Sequence, residues 1–244
     1  MTSEKDIEDA QRLGYHFDVP VNVATDQINR FFPGIELVIL LERLENLLSA
    51  HTEVPTDKKI IINTIPSAYF QILYLSANYW NEDTGLTMSR YFEYEQDRLI
   101  VYHHYFVLPK SARGQGIGTK VQGAWLEQYM NMEVKEIHVH AGLKDGGLVW
   151  AKMGFKALYK HEMENILRSA EQLLSGTDEL EAVKAIFDAY YEKDINGKSF
   201  PIRNWANIEA MKPILKLDTN NWHGWIDLTN PQELLNFKKY VGRE

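Results

Sequence analysis

The sequence predicts a mixed α/β (α+β) protein with a mostly antiparallel central sheet and flanking helices. Three observations predict it. Four strand-like segments follow one another between Lys59 and Leu108. A glycine-rich turn then leads into an amphipathic helix and a further strand. Helical periodicity frames this middle region on both sides.

Taken in order, the chain begins with helical signals up to His51. Ile35, Val38, Leu41, Leu44 and Leu48 recur at helical spacing, with Glu42, Arg43, Glu45 and Asn46 opposite them and Pro33-Gly34 breaking the chain before them. Residues 1–51 are therefore expected as a helical segment packed on the core. Thr52 to Lys58 is polar, contains Pro55 and reads as a linker. Residues 52–158, this linker included, are expected as the core. Its strands are Lys59 to Ile65, Ala68 to Ser76, Leu86 to Glu95 and Leu99 to Leu108, rich in Ile, Tyr, Phe and Thr. Gln96-Asp97 separates the last two and predicts a hairpin. The helix from Gly118 to about Met132 carries Val121, Trp125 and Tyr129 on one face, toward the sheet.

Residues 159–244 are expected to cover or complete that core. Met163, Ile166, Leu167, Ala170 and Leu174 make one helical stripe, and Leu180, Val183, Phe187, Tyr190 and Tyr191 another, with Ser175-Gly176-Thr177 turning between them. This pair could be a lid, an oligomer interface such as a homodimer contact, or plain core packing. Trp222 to Leu228 reads as a last strand and Pro231 to Tyr240 as a terminal helix.

Arg113-Gly114-Gln115-Gly116-Ile117-Gly118 carries the chemistry. A strand running into a glycine turn and a helix start suits a phosphate, because glycine admits close backbone approach and the helix dipole favours an anion. Arg113 adds a cation. Two familiar phosphate loops fail on spacing. Thr119 stands where a dinucleotide fingerprint needs its third glycine, and Gly118-Thr119-Lys120 lacks the Gly-Lys-Ser/Thr order of a P-loop.

Arg-x-x-Gly-x-Gly, at Arg113, Gly116 and Gly118, resembles the acyl-coenzyme A pyrophosphate loop of the GNAT superfamily of N-acyltransferases. The strand Glu136 to His140, a second helix, and Val149-Trp150-Ala151-Lys152-Met153-Gly154-Phe155 look like the continuation of that pattern. The resemblance covers Leu99 to Phe155. It implies splayed parallel strands at the centre of the sheet and acetyl-coenzyme A as the co-substrate. It also implies that Phe106, Val107 and Leu108 pair with the pantetheine arm, and that the amides of Gly114, Gln115, Gly116, Ile117, Gly118 and Thr119 hold the pyrophosphate with Arg113 at its edge. Lys110 could reach the phosphates or be an ordinary surface lysine.

Many members of that family carry a tyrosine in the helix before Gly-Phe as general acid; here Trp150 takes the position. An indole N–H donates a hydrogen bond but is no acid of useful pKa. Another residue protonates the thiolate, a water does, or the protein binds coenzyme A without transfer. Candidate bases are His103, His104, His138, His140, Glu93, Glu95 and Tyr102. Of these His140, at a strand end, and Glu93 and Glu95, two apart on one strand face, are preferred for catalysis or amine orientation. Core histidines and a solvated strand face are the plainer readings. The four histidines could converge, yet no carboxylate stands at a ligand spacing and no metal is expected. Trp222 and Trp225 could cage an ammonium group or simply pack.

Composition narrows the partners. With 34 acidic and 26 basic residues the net charge is −8, which argues against nucleic acid and membrane surfaces and agrees with an amine acceptor or with mere solubility. The chain has no cysteine, so a covalent thioester enzyme is excluded and a reducing compartment is suited. No apolar signal core follows the polar start, and a cytoplasmic protein is expected. The expectation is an acyl-coenzyme A-dependent N-acyltransferase acting on a primary amine, small or on a protein. The rival is a coenzyme A-binding module without turnover.

Overall fold

The computed structural model describes residues 1–242 except 53–55, 66, 82 and 144. The chain is a mixed α/β protein, with mostly antiparallel strands, some parallel pairing, and flanking helices. It divides into two compact units: residues 1–136 with the last residues from 238 onward, and residues 137–237.

The first unit opens with α1 (Glu4–Arg12), whose Ser3 and Asp6 cap each other's backbone amides. Then come β1 (Tyr15–Phe17), α2 (Val21–Phe31), α3 (Leu37–Leu48), β2 (Thr56–Asn63), β3 (Tyr69–Ser76), β4 (Thr87–Glu95), β5 (Arg98–Val107) and α4 (Ile117–Asn131). The strands lie in the order β1-β2-β3-β4-β5. All pairs here are antiparallel except β1 with β2. The β4–β5 hairpin turns at Gln96 and Asp97, with φ of 49° and 63° as a two-residue hairpin turn requires.

Two details depart from the sequence reading. β1 was not anticipated, since three residues give no readable period. β2 starts at Thr56, within the expected linker, of which residues 53–55 lie outside the described residues.

One sheet face of this unit is covered by helices. Phe70, Ile72 and Phe92 are buried with Phe32, Leu40, Leu41 and Leu44. Phe32 meets Phe70 at 5.5 Å between ring centroids, and Phe92 meets Trp125 and Tyr129 at 5.8 Å each. Burying a side chain of that size contributes about 1.5–3 kcal/mol, so α4 is seated by its Val121–Trp125–Tyr129 stripe as expected. On α3 the buried stripe takes in Leu37 and Leu40, and Val38 is only half-buried.

A polar latch joins the start of α3 to α4. The Glu36 amide donates to Gln128 Oε1 at 2.7 Å, the Asn131 side-chain amide donates to Glu36 at 3.0 Å, and Arg43 pairs with Glu127.

The second unit takes β6 (Glu136–His140) from residue 137. It continues with α5 (Gly146–Met153), β7 (Lys156–Ala157), α6 (Lys160–Leu173), α7 (Asp178–Tyr191), α8 (Arg203–Ala206), α9 (Met211–Ile214), β8 (His223–Asp227) and α10 (Pro231–Tyr240) to residue 237. β8 lies between β6 and β7. α5 ends on Gly154 at φ 99°, a left-handed stop where the helix was expected to close before Phe155. The helical pair forms as expected, with Thr177 Oγ1 accepting the Leu180 amide at the start of α7. Phe187, Tyr191, Phe200 and Trp205 form its aromatic core.

Candidate functional site

The glycine loop lies in the first unit, between β5 and α4. Pro109 starts a single 3-10 turn over Lys110–Ala112, and the chain then bends through Gly114 and Gly116, at φ 76° and 75°. A Cβ at either glycine would meet nothing within 4 Å, so both backbones border open space. Gly116 is the N-cap of the fifteen-residue α4 and offers no side chain to its first amides. The Lys120 amide donates to Gly116 O at 3.1 Å. Among the described residues no acceptor takes the amides of Ile117, Gly118 or Thr119. Three N–H groups at the positive end of a long helix are what an oxyanion needs.

Side chains brace the loop from outside. Arg113 Nε donates to Leu108 O at 2.9 Å and the Gln115 amide to Ser111 O at 2.5 Å, both residues being exposed. The arginine thus ties the strand end to the loop as well as adding charge. Lys110 pairs with Asp83 at 2.9 Å on the surface, which favours the plainer of its two readings. Phe106 and Val107 close β5, paired with Met88 and Thr87, and Leu108 follows; all three are half-buried.

Below the loop, β5 carries a bulge. Ser89 opposes Tyr105 and Arg90 opposes His103, so His104 is the extra residue. As the sequence required, the two adjacent histidines face opposite sides. His103 is buried with Nε2 2.7 Å from the Tyr129 hydroxyl, and burial, then Arg90, push its ring well below the usual imidazole range. His104 is exposed and stacks on Tyr91 at 5.5 Å.

Glu93 and Glu95 lie on the sheet face of Tyr69, Tyr91 and Tyr102. Ser67 donates to Glu93 at 3.0 Å and the Tyr102 hydroxyl donates to Glu95. Burial, with the Glu93 charge, pushes the Tyr91 phenol up to about 12. Tyr102 is raised too, chiefly by burial, so the Tyr91 and Tyr102 phenols stay protonated near neutrality and can donate.

The second unit holds a different centre. His140, at the end of β6, stacks face to face on His223, with centroids 4.2 Å apart and planes at 6°. Burial, then His223, lower the His140 ring. His223 Nδ1 lies 2.6 Å from Glu162 Oε1, and its backbone amide donates to Glu162 Oε2 at 2.7 Å. Glu162 is buried in the first turn of α6. A carboxylate on Nδ1 fixes the tautomer with its lone pair on Nε2, the form a proton acceptor needs. Sequence reasoning missed this pair.

Other expectations resolve into packing. Trp150 is 9% exposed and sits edge-on to Phe155 at 5.2 Å. Trp222 is buried, and the Trp225 ring already carries Lys156 Nζ at 3.7 Å, so the two form no cage for an external ammonium. His138 lies 6.4 Å from Trp225.

Among the described residues no group of three or more His, Cys, Asp or Glu is placed to hold a metal, and no helix is long and apolar enough to cross a membrane. Comparison with protein-family models, curated proteins and solved structures finds no match for the chain.

Proposed function

We propose that this protein is a GNAT-type, acyl-coenzyme A-dependent N-acyltransferase that moves an acetyl group to a primary amine in the cytoplasm. One observation carries the reading: two left-handed glycines bordering open space lead into an uncapped fifteen-residue helix directly after a strand end. The residues fit a diphosphate. The Ile117, Gly118 and Thr119 amides would hold its oxygens, Arg113 would flank it, and the β5 end at Phe106–Leu108 would run beside the pantetheine arm. Bound acyl-coenzyme A supplies the thioester.

The chain supplies binding and proton transfer. With no cysteine, the amine attacks the thioester carbon directly. An N–C bond forms, and the C–S bond breaks with its electron pair going to sulfur. The proton lost by the amine balances the one the thiolate takes up, directly or through solvent, to leave as coenzyme A thiol. His140, held toward its neutral form, and Glu93 and Glu95 are the candidate groups for taking the amine proton or orienting the acceptor. The acidic chain and the tyrosines beside Glu93 and Glu95 favour a cationic acceptor.

A second reading, a coenzyme A-binding module without turnover, is favoured by the packed Trp150 where a general acid would stand. Calorimetry with acetyl-coenzyme A and thiol release across a panel of amines and peptides separate the two. Binding with amine-dependent release of thiol is the expected result. Binding without release establishes the module, and no binding ends both readings.

A further inference from the structure

Arg90 has no exposed surface, although arginine is among the residues least often fully buried. Its Nη1 donates to the carbonyls of Ser89 at 2.9 Å and Tyr105 at 3.1 Å, seating the β5 bulge. Its Nε and Nη2 make no hydrogen bond of good geometry, the neutral Tyr129 hydroxyl being their polar neighbour, and no carboxylate pairs with it among the described residues. Burial lowers its pKa from the ordinary value, with the Tyr129 hydroxyl acting in the opposite sense. His103, the ionisable ring opposite it, is held neutral, so the guanidinium stands as a single uncompensated charge. An unpaired buried charge costs several kcal/mol, and an apolar side chain of similar volume is commonly as stable or more so. Two carbonyl acceptors call for a donor, not for a charge.

Its position supplies a use for the charge. The guanidinium carbon lies 5.5 Å from the Phe106 ring centroid. The edge of that ring, Cε1, is 3.5 Å from where a Cβ on Gly118 would stand, in the first turn of α4. One aromatic ring therefore separates a buried cation from the positive end of a helix. These two repel each other in a medium of low dielectric, and an anion over the helix amides is attracted by both.

We infer that Arg90 is the buried charge of the anion loop, strengthening diphosphate binding through space without touching the ligand. This rests on the reading of that loop as the coenzyme A site. At ~10 Å and an effective dielectric of ~20, one charge on another changes affinity by about tenfold.

Calorimetry with acetyl-coenzyme A and with inorganic pyrophosphate, on the wild type and on Arg90→Met and Arg90→Lys, tests it beside urea denaturation. Arg90→Met is expected to match or exceed the wild type in stability while binding both probes about tenfold more weakly, the gap narrowing at high salt. Arg90→Lys is expected to restore most of the affinity. A folded Arg90→Met with wild-type affinity overturns the inference. Should Met not fold, Arg90→Gln keeps a donor for the two carbonyls without the charge, and the same loss or its absence decides. A wild type that binds pyrophosphate but not acetyl-coenzyme A ends the coenzyme reading, and the Arg90 inference then stands or falls on the pyrophosphate arm alone. No binding of either probe overturns both.

Discussion

The glycine loop of the first unit and the Glu162–His223 pair of the second are polar centres built by opposite means. At Gly114–Thr119 the working groups are backbone amides, set by two positive φ angles and the start of α4. Side chains only brace them, through Arg113 and Gln115. At Glu162–His223 the working groups are side chains, and one carboxylate satisfies both the imidazole and the amide of its partner. A backbone centre stores little stability, because its amides stay available to a ligand. A side-chain centre with a buried carboxylate is part of what holds its unit together. Damage to the first is expected in binding, and damage to the second in stability.

The largest effect expected is from Gly116→Asp. Aspartate tolerates the left-handed region better than most residues and can cap α4. The fold is therefore kept while a carboxylate competes for the amides. Acetyl-coenzyme A affinity should fall at least ~100-fold by calorimetry, about 2.7 kcal/mol, with the melting temperature unchanged or slightly lowered by the left-handed backbone at this position. Retained affinity would break the distinction at its first half.

Glu162→Ala should do the reverse. Losing hydrogen bonds to a charged group and leaving the His223 amide bare costs about 2–3 kcal/mol, visible in urea denaturation. Coenzyme affinity should be unaffected. Nitrogen NMR should also show the His223 ring losing its fixed Nδ1–H tautomer. A stable variant with weakened coenzyme binding would reverse the assignment.

The smallest effect concerns His103, an imidazole on a phenol instead of a carboxylate. Its folded pKa is depressed, chiefly by burial, so the native ring stays neutral while the unfolded ring takes a proton below about pH 6.5. Stability from this site is complete above pH 6.5 and declines as pH falls toward the folded value, by about 1.4 kcal/mol at pH 5.5. Urea midpoints for the wild type and His103→Gln at pH 7.5 and 5.5 check this. Equal losses in both proteins would remove His103 as the cause.

Much of the backbone was legible because its rules are local. The Gln96-Asp97 hairpin, the Ser175-Gly176-Thr177 turn, the helix end at Gly154 and α10 each rest on residues within a few positions of one another, as do the loop glycines. β1 was not legible, because its three residues are held by pairing Tyr15 with Lys58, far along the chain. Glu162 and His223 are 61 residues apart and carry no mutual spacing rule. Arg90 reads as a surface residue in an alternating strand until α4 is known to cover its face. Trp225 reads as an empty aromatic face until Lys156 is found above it.

The latch between Glu36 and Gln128 bears on how the molecule is made. Its partners are 92 residues apart, so the leucine face of α3 leaves the ribosome well before α4 exists. At about 5–20 residues per second, the part of α3 that α4 covers stays open for several seconds or more, a window in which chaperones can bind the nascent chain.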